Sequence, residues 1–236
     1  MRLLVSVAEP SEARAALAGG ADVVDAKDPR MGALGAVRPR VLRAIREAVG
    51  AARPVSAALG DGTSLASLER CAATAAALGA AFVKVGFRRA RLARARRLAA
   101  AARRGAGDPT QVVLVAYADW RRAEGLDPDA IVTIAVEAGA AGVLLDTAGK
   151  TAGLFALLDA DAVGRWVERA HAVGLFVGLA GGLAGKDFPL ARALGADLVG
   201  VRGAACVGGR TGRVAAPRVA ALSALTRVAL ATPAFV

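Results

Sequence analysis

Histidine occurs once, at position 171, and cysteine twice, at Cys71 and Cys206, in a chain of 236 residues. One imidazole and two widely separated thiols offer neither a zinc-binding spacing nor a disulfide framework. Nothing in the sequence calls for a metal or an organic cofactor. Aromatic residues make up 4%, and they do not interleave with the basic residues as a nucleic-acid stacking platform requires. No run reaches the roughly 18 uncharged apolar residues of a membrane span. The nearest, Ala170 to Gly185, is short and glycine-rich and holds the lone histidine. The segment Met1 to Val7 has neither the apolar core nor the cleavage site of a signal peptide. These absences predict a soluble cytoplasmic protein with no membrane contact.

Lysine is also scarce. The chain has 31 lysines and arginines, and all but Lys27, Lys84, Lys150 and Lys186 are arginine. Where only positive charge is needed this sequence uses arginine, so a retained lysine points to an amine that must lose its proton. The formal net charge of +11 raises nucleic acid as a partner. The strongest basic block, Arg88 to Arg97, reads instead as a helix with a solvated arginine face and a leucine/alanine face. No specific nucleic-acid binding is expected, and attraction of small anionic substrates is as natural a use of the charge.

The length fits one large domain. Four segments repeat a pattern of Gly-Ala followed by a short β-rich run. They start at Gly20, Gly79, Gly139 and Gly195, with spacings of 59, 60 and 56 residues. Each reads as a glycine helix stop followed by a buried strand. Between them lie further strands at Leu3 to Val7, Val55 to Leu59, Val112 to Tyr117 and Leu175 to Leu179. Helices are predicted over Glu9–Leu17, Pro39–Val49, Leu65–Leu78, Arg91–Arg103, Pro128–Glu137, Ala162–Val173, Phe188–Leu194 and Val214–Val228. A strand followed by a helix, eight times, with roughly 30 residues per pair, predicts an α/β single-domain (β/α)8 TIM barrel over residues 1–229, with a tail at 230–236. An open doubly wound sheet would want a glycine-rich nucleotide turn after an early strand, and neither Ala8-Glu9-Pro10 nor the Pro29 to Gly35 loop supplies one.

The repeat aligns the chemistry. Positions five and seven beyond each leading glycine are Asp25 and Lys27, Lys84 and Gly86, Leu144 and Asp146, and Gly200 and Arg202. Their shared parity puts them on one face, near the strand ends where such barrels carry active sites. The intervening Val24, Ala26, Val83, Val85, Val143, Leu145, Val199 and Val201 would face the helices. Lys27 is a candidate nucleophilic amine, which must be neutral to attack a carbonyl. Neighbouring ammonium groups and burial favour that state and Asp25 opposes it. Asp146 is a candidate general base or a group that orients a lysine, with Lys150 four residues on. Gly181 and Gly182 in one loop, and Arg202 and Gly203 in another, are candidate phosphate ligands, because barrels of this kind bind phosphate after strands seven and eight. Tyr117, Asp119 and Asp61 end strands and are as readily loop caps as catalytic groups. Exposed alanine/leucine helix faces suggest a homo-oligomer.

The blocks Leu3-Leu4-Val5-Ser6, Asp25-Ala26-Lys27-Asp28-Pro29, Val55 to Asp61, Val83-Lys84-Val85-Gly86, Tyr117-Ala118-Asp119, Leu145-Asp146-Thr147-Ala148 with Lys150, Leu179-Ala180-Gly181 and Val199 to Cys206 resemble, in this order, the (5-formylfuran-3-yl)methyl phosphate synthase family of methanofuran and methylofuran biosynthesis. The resemblance spans nearly the whole chain. It implies a (β/α)8 barrel that joins two glyceraldehyde 3-phosphate molecules, releases one phosphate and two waters, and needs no cofactor. It places the family's Schiff-base lysine on Lys27 and its other functional residues on Asp25, Lys84, Asp146 and Lys150. The stretch Thr151 to Phe155 is shorter and less polar than the family pattern suggests, and residues 230–236 lie outside it. Another class I aldolase or a phosphosugar isomerase could use the same lysines. A phosphoribosyl-ligand sensor could keep the phosphate loops but would have no use for the lysines.

Overall fold

The computed structural model describes residues 1–62 and 64–227. Eight parallel strands close into one barrel. In chain order the elements are β1 (Arg2–Val7), α1 (Pro10–Ala18), β2 (Val23–Ala26), α2 (Pro39–Val49), β3 (Val55–Asp61), α3 (Leu65–Ala77), β4 (Phe82–Gly86), α4 (Leu92–Ala106), β5 (Gln111–Tyr117), α5 (Pro128–Glu137), β6 (Gly142–Asp146), α6 (Leu154–Leu157), α7 (Ala160–Ala172), β7 (Phe176–Leu179), α8 (Phe188–Ala193), β8 (Leu198–Val201), the short strands β9 (Cys206–Val207) and β10 (Arg213–Val214), and α9 (Ala216–Arg227). β8 pairs with β1 and completes the circle.

The repeated glycines have a backbone cause. Gly20, Gly79, Gly139 and Gly195 adopt φ of +85°, +79°, +64° and +84°. This left-handed geometry ends a helix and turns the chain into the next strand, and it penalises any side chain bearing a Cβ. The strand parity also holds. Val24, Ala26, Val83, Val85, Val143, Leu145, Val199 and Val201 all pack in the layer between sheet and helices. Alanine serves the helix layer by allowing close approach: at Gly105 in α4 an added Cβ would lie 2.1 Å from the Glu69 carbonyl of α3. On the solvent side of α4, Arg96 forms a two-point pair with Glu137, and Arg104 reaches Glu69.

Inside the barrel the layers change character with height. The lower end is dry. Leu4, Val23 and Leu198 pack together, and Phe82 meets Phe176 edge to face, with ring centroids 5.9 Å apart. Above them the register sets Ser6 beside Asp25 and Asp25 beside Ser56. At the upper end Tyr117 lies beside Asp146. Polar groups thus begin where the apolar plug stops.

One expectation is corrected. The helix predicted from Val214 begins at Ala216, because Arg213 and Val214 pair antiparallel with Val207 and Cys206 in a small hairpin. The Val214 N–H is drawn there to the Glu12 carboxylate, at 3.3 Å. The Thr151 to Phe155 stretch, shorter and less polar than the family pattern suggests, runs into α6, where buried Leu154 donates its N–H to the Gly181 carbonyl at 2.8 Å. The predicted 230–236 tail and the last residue of the final predicted helix lie outside the described residues. Among the described residues no helix is long and apolar enough to cross a membrane.

Candidate active site

A cavity of about 400 Å³ opens at the C-terminal end of the barrel, lined by Lys27, Lys84, Asp146, Lys150 and the loops after β7 and β8. That volume lies in the range of small-molecule sites. Its floor is a buried ion pair. Lys84 Nζ lies 2.7 Å from Asp25 Oδ2, with the two side chains 4% and 0% exposed. Asp25 also accepts from Ser6 Oγ at 2.9 Å and Ser56 Oγ at 2.7 Å. Burial opposes ionisation of Asp25, but the ammonium groups of Lys84 and Lys27 and these hydrogen bonds outweigh it and hold the carboxyl below its usual value.

A second pair stands on β6. Asp146 Oδ1 accepts from Lys150 Nζ at 3.0 Å and from the Thr147 N–H at 2.7 Å. Lys150 also donates to the carbonyl and hydroxyl of Thr147. Burial again opposes the Asp146 charge, while Lys150, Lys27 and the Thr147 amide lower its pKa overall. Asp119, at the end of β5, holds the loop that carries Lys150. Its two oxygens accept from the amides of Ala148 and Gly149, both at 2.7 Å.

Lys27 lies between these pairs and differs from both lysines. Among the described residues its amine makes no hydrogen bond or ion pair. Its backbone N–H is fixed to the Val7 carbonyl at 2.9 Å, while its half-buried side chain opens to the cavity. Burial is the largest influence and lowers its pKa. Asp146 and Asp25 raise it, Lys84 and Lys150 lower it, and the result is about 8, down from 10.5.

The phosphate candidates divide. Gly181 and Gly182 adopt φ of +94° and +70° and line the cavity, as do Gly203 and Ala204 in the loop after the neighbouring strand β8. Among the described residues none of these four amides donates to a protein carbonyl. Arg202 is corrected. All five of its N–H groups are taken, by the carbonyls of Ser6, Arg210 and Gly212 and by both oxygens of Glu12. The two-point contact expected with phosphate is made with Glu12 instead, in a pair only 6% and 5% exposed. Arg202 therefore builds the loop and has no donor left for a ligand.

The family model described as 4-HFC-P synthase matches residues 3–223. The chain belongs to the 4-HFC-P synthase family. A curated relative from Methanopyrus kandleri, named (5-formylfuran-3-yl)methyl phosphate synthase, is 41% identical over 218 residues, covering 90% of this chain and 92% of its own. The protein of the same name from Methanocaldococcus jannaschii is 39% identical over 217 residues, covering 89% and 92%. Among solved structures, orotidine 5'-phosphate decarboxylase from Pyrococcus horikoshii superposes with a TM-score of 0.66 at 15% identity, covering 96% of this chain and all of that one. That similarity shows the barrel fold alone.

Within this 4-HFC-P synthase family member, Lys27, Lys84, Asp146 and Lys150 line one cavity, and buried Asp25 lies beneath it in contact with Lys84. Tyr117 and Asp61 form a separate unit. The tyrosine hydroxyl donates to Asp61 Oδ1 at 2.8 Å, and Gly86 leaves the space, since a Cβ there would fall 2.4 Å from that oxygen. His171 bonds Asp197 on the outer layer, at 2.9 Å. Sequence reasoning missed Glu12, which looks like any acidic residue in a first helical turn, and Arg210, one arginine among many. The glycines flanking Arg210 were the available signal for a tight turn at the mouth.

Proposed function

We propose that this chain condenses two molecules of glyceraldehyde 3-phosphate into the phosphate ester of 4-(hydroxymethyl)-2-furancarboxaldehyde, with loss of one phosphate and two waters, in methanofuran or methylofuran biosynthesis. The observation that carries the proposal is the Lys27 amine, which has no hydrogen bond or ion pair among the described residues, lies between two carboxylate–lysine pairs and has its pKa lowered by burial to about 8. At pH 7 about a tenth of such an amine is neutral, against about one in three thousand at the ordinary value, roughly a 300-fold gain in nucleophile.

Lys27 attacks the aldehyde of one triose phosphate, and loss of water gives an imine that acidifies the adjacent carbon. The enamine formed from it adds to the second aldehyde. Asp146 with Lys150, and Lys84 with Asp25, exchange protons during addition, dehydration and ring closure. Expulsion of one phosphate and release of Lys27 complete the aromatic ring. The amides of Gly181, Gly182, Gly203 and Ala204 hold a phosphate by backbone donation. The name of the relatives, (5-formylfuran-3-yl)methyl phosphate synthase, supports the product assignment.

The test supplies glyceraldehyde 3-phosphate as the sole substrate. The expected products are a furan chromophore of the right mass and one inorganic phosphate per furan. A reversible aldol product with both phosphates retained would instead establish an ordinary class I aldolase.

A further inference from the structure

The charges around the cavity do not balance. Five cations line it: Lys27, Lys84, Lys150, Arg202 and Arg210. Three are neutralised by a carboxylate at contact distance, Lys84 by Asp25, Lys150 by Asp146 and Arg202 by Glu12. Lys27 and Arg210 are left. Lys27 sheds its charge to react. Arg210 has no carboxylate in contact among the described residues, and its protein partners are the carbonyls of Pro29, at 2.6 Å, and Gly32, at 2.7 Å. Two of its five N–H groups are used and three remain. Asp146 and Asp28 act on the guanidinium only from beyond contact distance, and a half-buried guanidinium without a contacting carboxylate is costly to hold, unless its anion arrives with the ligand.

The surrounding structure is built to present this side chain. Arg210 sits in the turn of the β9–β10 hairpin, beside Gly208 and Gly209 at φ of +80° and +73°. The turn is too tight for a side chain at Gly212, where a Cβ would fall 1.8 Å from the Val207 carbonyl. Arg202 donates to the carbonyls of Arg210, in the middle of the turn, and Gly212, at its end, at 2.8 and 3.1 Å, while Glu12 holds Arg202. The buried Glu12–Arg202 pair thus anchors the hairpin, and the hairpin carries Arg210 to the rim. From there Arg210 reaches the carbonyls of Pro29 and Gly32, in the same loop after β2 that begins with Lys27.

We propose that Arg210 is the phosphate-binding residue for the second triose, the one whose phosphate is not held by the amide cradle of Gly181, Gly182, Gly203 and Ala204. This rests on the proposed condensation, in which two phosphate monoesters, each with close to two negative charges at neutral pH, must occupy one cavity together. The cradle supplies oriented amides for one. A guanidinium fork with free donors suits the other, and can follow it as it is expelled or retained.

Arg210→Gln and Arg210→Lys separate the two subsites. The first triose is read as the borohydride-trapped adduct on Lys27 against substrate concentration, and the second as furan formation against the same concentration. For Arg210→Gln the adduct curve should match wild type within about two-fold, which also shows that the variant folds. Half-saturation for furan formation should rise by about 10- to 100-fold, the loss expected for one charged hydrogen-bonding group. Arg210→Lys keeps the charge without the fork and should fall between, and it carries the same comparison if the glutamine variant does not fold. Unchanged furan half-saturation would overturn the proposal. So would a parallel shift of both curves, which would assign Arg210 to the first triose. An absent adduct in the wild-type enzyme would overturn the condensation reading itself, and this inference with it.

Discussion

Substituting Asn for Asp25 removes a charge while keeping the shape. In the native protein Asp25 is fully buried and accepts from two serine hydroxyls and from Lys84. The amide of Asn can satisfy both hydroxyls, which rotate to suit, but it leaves the Lys84 ammonium buried and unpaired. Breaking a buried pair from one side costs about 3–5 kcal/mol. For a protein of this size each kcal/mol is worth roughly 2–4 °C in Tm, so Asp25→Asn should melt about 6–20 °C below wild type. Lys84→Met should cost a comparable amount, because it strands the carboxylate. The double variant strands neither charge and should be more stable than either single one. Thermal and urea denaturation at pH 7, followed by circular dichroism, measure all four corners of this cycle. The acid limb adds a sign. Asp25 is held below its unfolded value, so its contribution is complete above about pH 4 and is lost as pH falls through the depressed folded value. Asp25→Asn should flatten that limb in part, since Asp146 contributes the same way. Single variants costing under about 1 kcal/mol, or costs that simply add in the double variant, would refute the ion-pair reasoning.

Other consequences are equally direct. The rate of Lys27 adduct formation at limiting substrate should climb as pH rises and level off above about 8, because the amine must lose its proton first; a climb continuing beyond pH 10 would show an ordinary lysine. Asp146→Asn removes the strongest charge holding the proton on Lys27. Adduct should therefore form faster at pH 7, while furan formation falls by about 10²-fold or more for want of acid–base catalysis. Gly181→Ala places a methyl 2.7 Å from Thr147 Cγ2 at a φ of +94°. It should cost about 1–3 kcal/mol in stability and weaken phosphate inhibition, as binding of inorganic phosphate would report.

Much of this was legible in the residues. A helix stop at positive φ leaves a glycine in the sequence, so Gly20, Gly79, Gly139 and Gly195 announced four strand starts. Strand parity then placed Asp25, Lys84 and Asp146 inside the barrel, because a two-residue period is a property of the backbone and survives any choice of neighbours. Pairings across long separations were not legible. Arg202 sits where a phosphate ligand belongs, but Glu12, 190 residues earlier, takes its donors. Strands as short as Cys206–Val207 carry no periodicity, so the hairpin that positions Arg210 read as loop and helix. For Asp119 the sequence left loop cap and catalytic group equally open; its oxygens accept from the Ala148 and Gly149 amides, in the loop that carries Lys150.

The central claim is that Lys27 is the covalent nucleophile. Incubating the protein with glyceraldehyde 3-phosphate and borohydride, then digesting it and mapping the adduct by mass spectrometry, tests that claim most directly. One reduced triose phosphate adduct is expected on the peptide containing Lys27, absent in Lys27→Arg. An adduct on Lys84 or Lys150, or active turnover with no trapped lysine, would contradict it.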